Sequence, residues 1–178
     1  LKVVHNLKIK KDKLKINIYE NYENKLVNRI KFLKNYDKNK FNILINELRE
    51  YETQDRGKTG VIHGDPVFSN ILKKIDNKFI FLDPRGSLGD KFSIYGDINY
   101  DYAKIYQSLN GYENIIYDKK INLKYLENLK KHFENLLINS KSIESIDTIK
   151  CLTASLFFSL CSFHNKKYQN KFLNIAYK

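Results

Sequence analysis

The stretch "VIHGDPVFSNILKKIDNKFIFLDPRG", residues 61–86, decides how the rest of the chain is read. It sets His63, Asp65, Asn70, Asp83 and Arg85 among apolar runs. Residues 71–75 and 79–82 are short apolar segments around Asp76, Asn77 and Lys78, which is a β-hairpin signature. With a two-residue loop at Asp76 and Asn77, Leu72 faces Phe81, Ile71 faces Leu82 and Asn70 faces Asp83. Directly opposed residues lie about 5 Å apart. One carboxylate and one amide oxygen then converge at the open end of the hairpin, a donor pair that suits Mg²⁺ with waters or phosphates in its other positions.

Asp65 lies five residues before Asn70, in a loop that follows Val61 and Ile62. A loop carboxylate beside a metal can orient and deprotonate a hydroxyl nucleophile. Base, metal ligand and second metal ligand, in that order, is the division of labour of kinase phosphoryl transfer. Positioning and charge neutralisation supply most of such catalysis, with no covalent protein intermediate.

Outward from this stretch the pattern is helical. Leu26, Ile30 and Leu33 recur at helical spacing over 20–36, and Phe41, Leu44, Ile45, Leu48 and Tyr51 mark a second amphipathic helix. A helix is predicted over 99–109, stopped at Gly111, with Asp97 as an N-cap. Others follow around Leu123 to Leu137, over 149–163 and over 166–177. Residues 1–18 alternate Lys with Ile, Leu and Val and favour no one element. The apolar run 149–163 holds 15 residues, short of the roughly 20 that a membrane span needs, so it reads as a buried helix.

At 178 residues, 42% hydrophobic and 29% charged, the chain fits one globular domain, 1–178. Net charge is +12, yet of 32 Lys and Arg only Arg29, Arg49, Arg56 and Arg85 are arginine. Base readers and phosphate clamps favour the bidentate fork of Arg. The excess therefore reads as a solvated basic surface and argues against a nucleic-acid partner. Cys151 and Cys161 form neither a zinc spacing nor a disulfide framework, which fits a reducing cytoplasm. No signal-peptide pattern is expected from the opening residues.

"HGDPVFSN" (63–70), "FLDPRG" (81–86) and "GDINYDYAKIY" (96–106) follow one another in a contiguous region. Together they resemble the catalytic and metal-binding segments of the aminoglycoside phosphotransferase and choline kinase family, small-molecule kinases with a protein-kinase-like fold. The resemblance implies a mainly α domain with a small β-hairpin, the helical C-terminal lobe of that fold, with 61–86 carrying the loops and 97–178 helical. It implies that Asp65 is the catalytic base toward an acceptor hydroxyl and that Asn70 and Asp83 hold Mg²⁺ on ATP. His63 would be a structural member of the loop and Asp101 would brace it from the following helix. Pro84, Arg85 and Gly86 depart from the commonest family wording. Arg85 is left to touch phosphate or acceptor, or to neutralise the surroundings of Asp83.

The wording of 83–86 and 100–112 is also similar to bacterial phosphotransferases linked to surface-polysaccharide synthesis, which implies a sugar hydroxyl as acceptor. Kinases of this fold place a β-rich lobe with a glycine-rich phosphate loop before the helical one. No glycine precedes Gly57, so that lobe is expected from further residues of the same polypeptide. Two alternatives stand beside the kinase reading. One is a non-catalytic kinase-like or basic binding module. The other is a metal-dependent phosphoesterase, which would want more histidines near the motif than His5, His132 and His164 offer.

Overall fold

The computed structural model describes residues 1–7, 16–120, 122–139, 141, 143 and 145–178. Most of the Lys-rich opening stretch, residues 8–15, lies outside the described residues. The chain folds as a mainly helical domain with small antiparallel strand pairs, as expected.

Its centre is the apolar run, now helix α7 (Ile146–Leu160), with Ile149, Leu152, Leu156, Phe157 and Phe158 buried. It starts three residues earlier than the periodicity suggests, because the Ser145 hydroxyl accepts from the backbone N–H groups of Asp147 and Thr148. Around it pack α2 (Glu23–Ile30), α3 (Lys38–Thr53), α4 (Ile98–Leu109), α6 (Leu123–Asn139) and α8 (Lys166–Ala176). Two short helices, α1 (Lys2–His5) and α5 (Tyr112–Ile116), complete the set among the described residues. None of these helices is long and apolar enough to cross a membrane.

The helix expected over 20–36 is confined to α2. Turns formed by Tyr22 N–H to Tyr19 C=O and by Leu33 N–H to Ile30 C=O close its two ends. Helix α4 stops as expected: Gly111 adopts φ 88°, a left-handed conformation that glycine takes without a Cβ penalty.

The hairpin is β2 (Ile71–Lys73) with β3 (Phe79–Phe81), but its register differs from the expected one. Ile71 faces Phe81 and Leu72 faces Ile80. The loop has three residues, not two, because Asn77 takes φ 60° and Lys74 N–H bonds Lys78 C=O across it. Asn70 consequently pairs with Leu82, whose N–H it accepts at 2.8 Å, and not with Asp83.

Two further pairs were not legible. Strand β1 (Thr59–Val61) joins β6 (Tyr95–Asp97), and β4 (Ser87–Leu88) joins β5 (Lys91–Phe92). The first pair sets the loop after β1 against the start of α4.

Asp97 is the N-cap of α4, as read, but it is far more than a cap. It is 1% exposed and collects the hydroxyls of Tyr22 and Tyr51, each at 2.6 Å, with the N–H groups of Lys58 and Asn99. Burial lifts its carboxyl above the ordinary range although all four donors act the other way. Removing it takes away the acceptor of two tyrosine hydroxyls in the core. Asp97→Ala is expected to cost about 3 kcal/mol of stability, the scale for breaking a buried charged hydrogen-bond network. Urea denaturation measures it. A loss under about 1 kcal/mol, the net value of one ordinary hydrogen bond, would show that the network is dispensable.

Candidate functional site

Beyond β1 the chain enters the loop 62–70 directly above α4. The N–H groups of His63 and Gly64 both donate to the Asp101 carboxylate at 2.8 Å. Asp101 is fully buried and also accepts from His5 Nε2 at 3.0 Å. Sequence reading set His5 apart from the motif, and the structure brings it to the loop's anchor. Gly64 sits at φ 83°, and a Cβ there would press on Arg85 Cβ at 2.7 Å, so conformation and space both require glycine.

His63 is buried, and its Nδ1 accepts from the Asp65 N–H at 3.2 Å, which places the ring proton on Nε2. The Asn70 side-chain amide donates to the Asp65 carbonyl at 2.9 Å. That uses one of its two N–H donors, and among the described residues Oδ1 is left as an unspent acceptor. Farther along, Phe68 N–H donates to the Ser108 hydroxyl, which in turn donates to Glu113. Helix α4 therefore holds the loop at both ends, through Asp101 and through Ser108.

The segment bearing Asp83 is tied to this loop twice. Leu82 N–H reaches Asn70 C=O at 2.8 Å and Arg85 N–H reaches His63 C=O at 2.9 Å. Asp83, between these two bonds, is exposed and stands at φ 54°, a conformation rarely used by non-glycine residues. Asp and Asn enter this region at modest cost, as Asp55, Asn77 and Asp118 also do here. Among the described residues no side chain pairs with the Asp83 carboxylate. Backbone bonds thus tie the Asp83 segment to the loop of Asp65 and Asn70, although the expected pairing of Asn70 with Asp83 is shifted by one residue. The unpaired Asp83 carboxylate and free Asn70 Oδ1 are hard oxygen donors of the kind Mg²⁺ takes.

Three residues that sequence reading missed complete the surroundings. Lys104 Nζ lies 3.0 Å from Asp65 Oδ1, an ion pair with both groups partly shielded. Tyr100, buried one helical turn before Lys104, accepts from Arg85 at 2.8 Å and from Lys25 at 3.3 Å. The guanidinium of Arg85 is therefore directed at Tyr100. The signal for Tyr100 and Lys104 was their i, i+4 spacing on the helix that carries Asp101. The cysteines take no part: both are free, and burial pushes each thiol up to about 12.

Burial raises the Tyr100 phenol, but Lys25, Lys104 and Arg85 together outweigh it and bring it down to about 7. Burial pulls Lys25 down to about 8, with Arg85, Arg29 and Lys104 acting the same way against the opposing pull of Tyr100.

Comparison with family models, with curated proteins and with solved structures finds no match to this chain.

The cation cluster generates a spectroscopic expectation. One tyrosine ionises near pH 7, far below its fellows, because the surrounding positive charges favour the phenolate that forms above that midpoint. An absorbance titration of tyrosinate checks it. Tyr100→Phe should abolish the low step, and an unchanged curve would remove Tyr100 from the assignment.

Proposed function

We propose that this chain carries the catalytic loop and metal-binding segment of an ATP-dependent phosphotransferase that acts on a small-molecule hydroxyl. The observation that carries the reading is Asp83. Among the described residues its carboxylate has no side-chain partner, and it is held between two backbone hydrogen bonds to the loop that presents Asp65 and Asn70. In this reading Asp65 takes the proton of the attacking hydroxyl. Asn70 and Asp83 hold Mg²⁺, which neutralises charge on the nucleotide phosphates. Asp101 and His63 position the loop and touch no substrate.

The hairpin supports a nucleotide beside this site. Ile71, Phe79 and Phe81 alternate onto one face and, with Phe68 and Val4, line an open apolar cleft of about 700 Å³. A base can pack there, and so can a β-rich lobe that brings the phosphate-cradling loop. A sugar is the acceptor implied by the sequence resemblance.

One observation favours the alternative of a kinase-like module without turnover. Lys104 pairs with one of the two carboxylate oxygens of Asp65, the candidate base. Activity decides between them. In the natural polypeptide, Asp65→Asn should preserve Mg-nucleotide binding and lower turnover by about 10²–10⁴-fold, the range for losing a general base. Asp83→Ala should weaken metal-dependent nucleotide binding instead. Unchanged turnover in Asp65→Asn would take Asp65 out of the chemistry, and absence of Mg-ATP binding would end the kinase reading.

The 178 residues by themselves are expected to bind Mg-ATP weakly. No glycine precedes Gly57, and Mg²⁺ is held largely through substrate phosphates. Calorimetry checks this, and micromolar affinity would reveal a phosphate site within residues 1–60.

A further inference from the structure

Helix α2 has two unlike faces. Tyr22, Leu26 and Ile30 turn into the core, whereas Asn21, Asn24, Lys25, Asn28 and Arg29 recur at helical spacing on another side. That polar stripe lines a cleft of about 370 Å³, whose opposite wall is Arg85 with the β4–β5 turn. The cleft lies beside the candidate base, because Arg85 packs under Gly64, the residue before Asp65.

The charges here do not balance in the usual way. Buried or half-buried cations are ordinarily paired with carboxylates. Lys25 and Arg85 instead share the hydroxyl of Tyr100, and Arg29 lies over the Phe163 ring at 4.0 Å. Among the described residues, the carboxylate that pairs with a cation of this group is Asp65, taken by Lys104. Glu20 and Asp90 also line the cleft, but on the wall shared with a neighbouring, more apolar cleft lined by Ile16, Leu88 and Phe92. Lys25, Arg29 and Arg85 thus outnumber Glu20 and Asp90 in the cleft lining, with three side-chain amides facing the same space. Such a lining is suited to an oxyanion, which takes charge-assisted bonds from Lys and Arg.

We propose that the acceptor of this site bears an anionic group, a phosphate or a carboxylate, which Lys25, Arg29 and Arg85 hold in the cleft while its hydroxyl meets Asp65. The proposal rests on the phosphotransferase reading and names its substrate class: a phosphorylated or acidic sugar, and not an aminoglycoside or amino alcohol. In the transfer, the acceptor oxygen forms a bond to the γ-phosphorus as the bond to the β-phosphate oxygen breaks. ADP leaves, and the hydroxyl proton passes to Asp65.

The test has two independent arms. In the first, a hexose phosphate, a hexuronic acid, the neutral hexose and ethanolamine are titrated calorimetrically into the protein without nucleotide. An anionic sugar should bind, and Arg29→Gln and Lys25→Gln should each weaken it about tenfold, the effect of losing one charge-assisted contact. The phosphate and the carboxylate compounds identify which anion is preferred. Equal binding of the neutral sugar, or no effect of either variant, would overturn the proposal. In the second arm, turnover with Mg-ATP is measured in the natural polypeptide for the same four compounds. The two variants should raise KM for the anionic acceptor about tenfold while KM for ATP stays unchanged. Turnover confined to neutral or cationic acceptors overturns the proposal and leaves the kinase reading standing. Anion binding in the first arm without turnover on any acceptor ends the kinase reading, and with it the assignment of this anion as an acceptor.

Discussion

Two buried carboxylates, one turn apart at the head of α4, hold the rest of the molecule in place. Asp97 gathers Tyr22, Tyr51, Lys58 and Asn99. Asp101 gathers His5, His63 and Gly64. The positive end of the helix dipole favours both positions. Neither charge could be buried without its donors, since an uncompensated interior carboxylate costs several kcal/mol. The donors come from the first residues, from α2, α3 and β1, so the requirement to satisfy two charges fixes where four separate parts of the chain meet.

That constraint passes directly to the site. Because Asp101 grips the backbone at His63 and Gly64, the loop carrying Asp65 cannot shift without breaking two buried bonds. The Asp83 segment is then aligned on that loop through backbone hydrogen bonds alone, at Leu82 and Arg85. Among the described residues the Asp83 carboxylate is left without a side-chain partner. The charges are also sorted. Asp83 and Asn70 stand on the hairpin side, while Lys25, Arg29, Arg85 and Lys104 gather on the α2 side around Tyr100. Asp65 lies where the two regions meet. Under the proposed reading this separation would keep the metal with its nucleotide on one side of the base and an anionic acceptor on the other.

Local rules carried much of the fold into view. The α3 and α6 periodicities, the Gly111 stop, the Asp97 cap and the buried character of α7 all depend on residues within a turn or two of each other. Hydrogen bonding and burial at that range are written directly in the residue order. The hairpin's position was legible for the same reason. Its register was not, because it turned on whether Asn77 would enter the left-handed region, an option open to Asn at modest cost. The pairs β1–β6 and β4–β5 are two or three residues long and contain or adjoin glycines, so no alternation announces them.

By itself, then, the sequence determined where the longer helices and the hairpin lie, and that Asp65, Asn70 and Asp83 belong to one contiguous stretch. Tertiary structure alone decided that Asn70 faces Leu82, that His5 reaches Asp101, and that Lys25 and Arg85 converge on Tyr100. It also turned Asp97 from a cap into a hub. The physical reason is separation along the chain. Tyr22 and Asp97, or Lys25 and Tyr100, are 75 residues apart, and they meet only because α2 and α4 both bury an apolar face against α7.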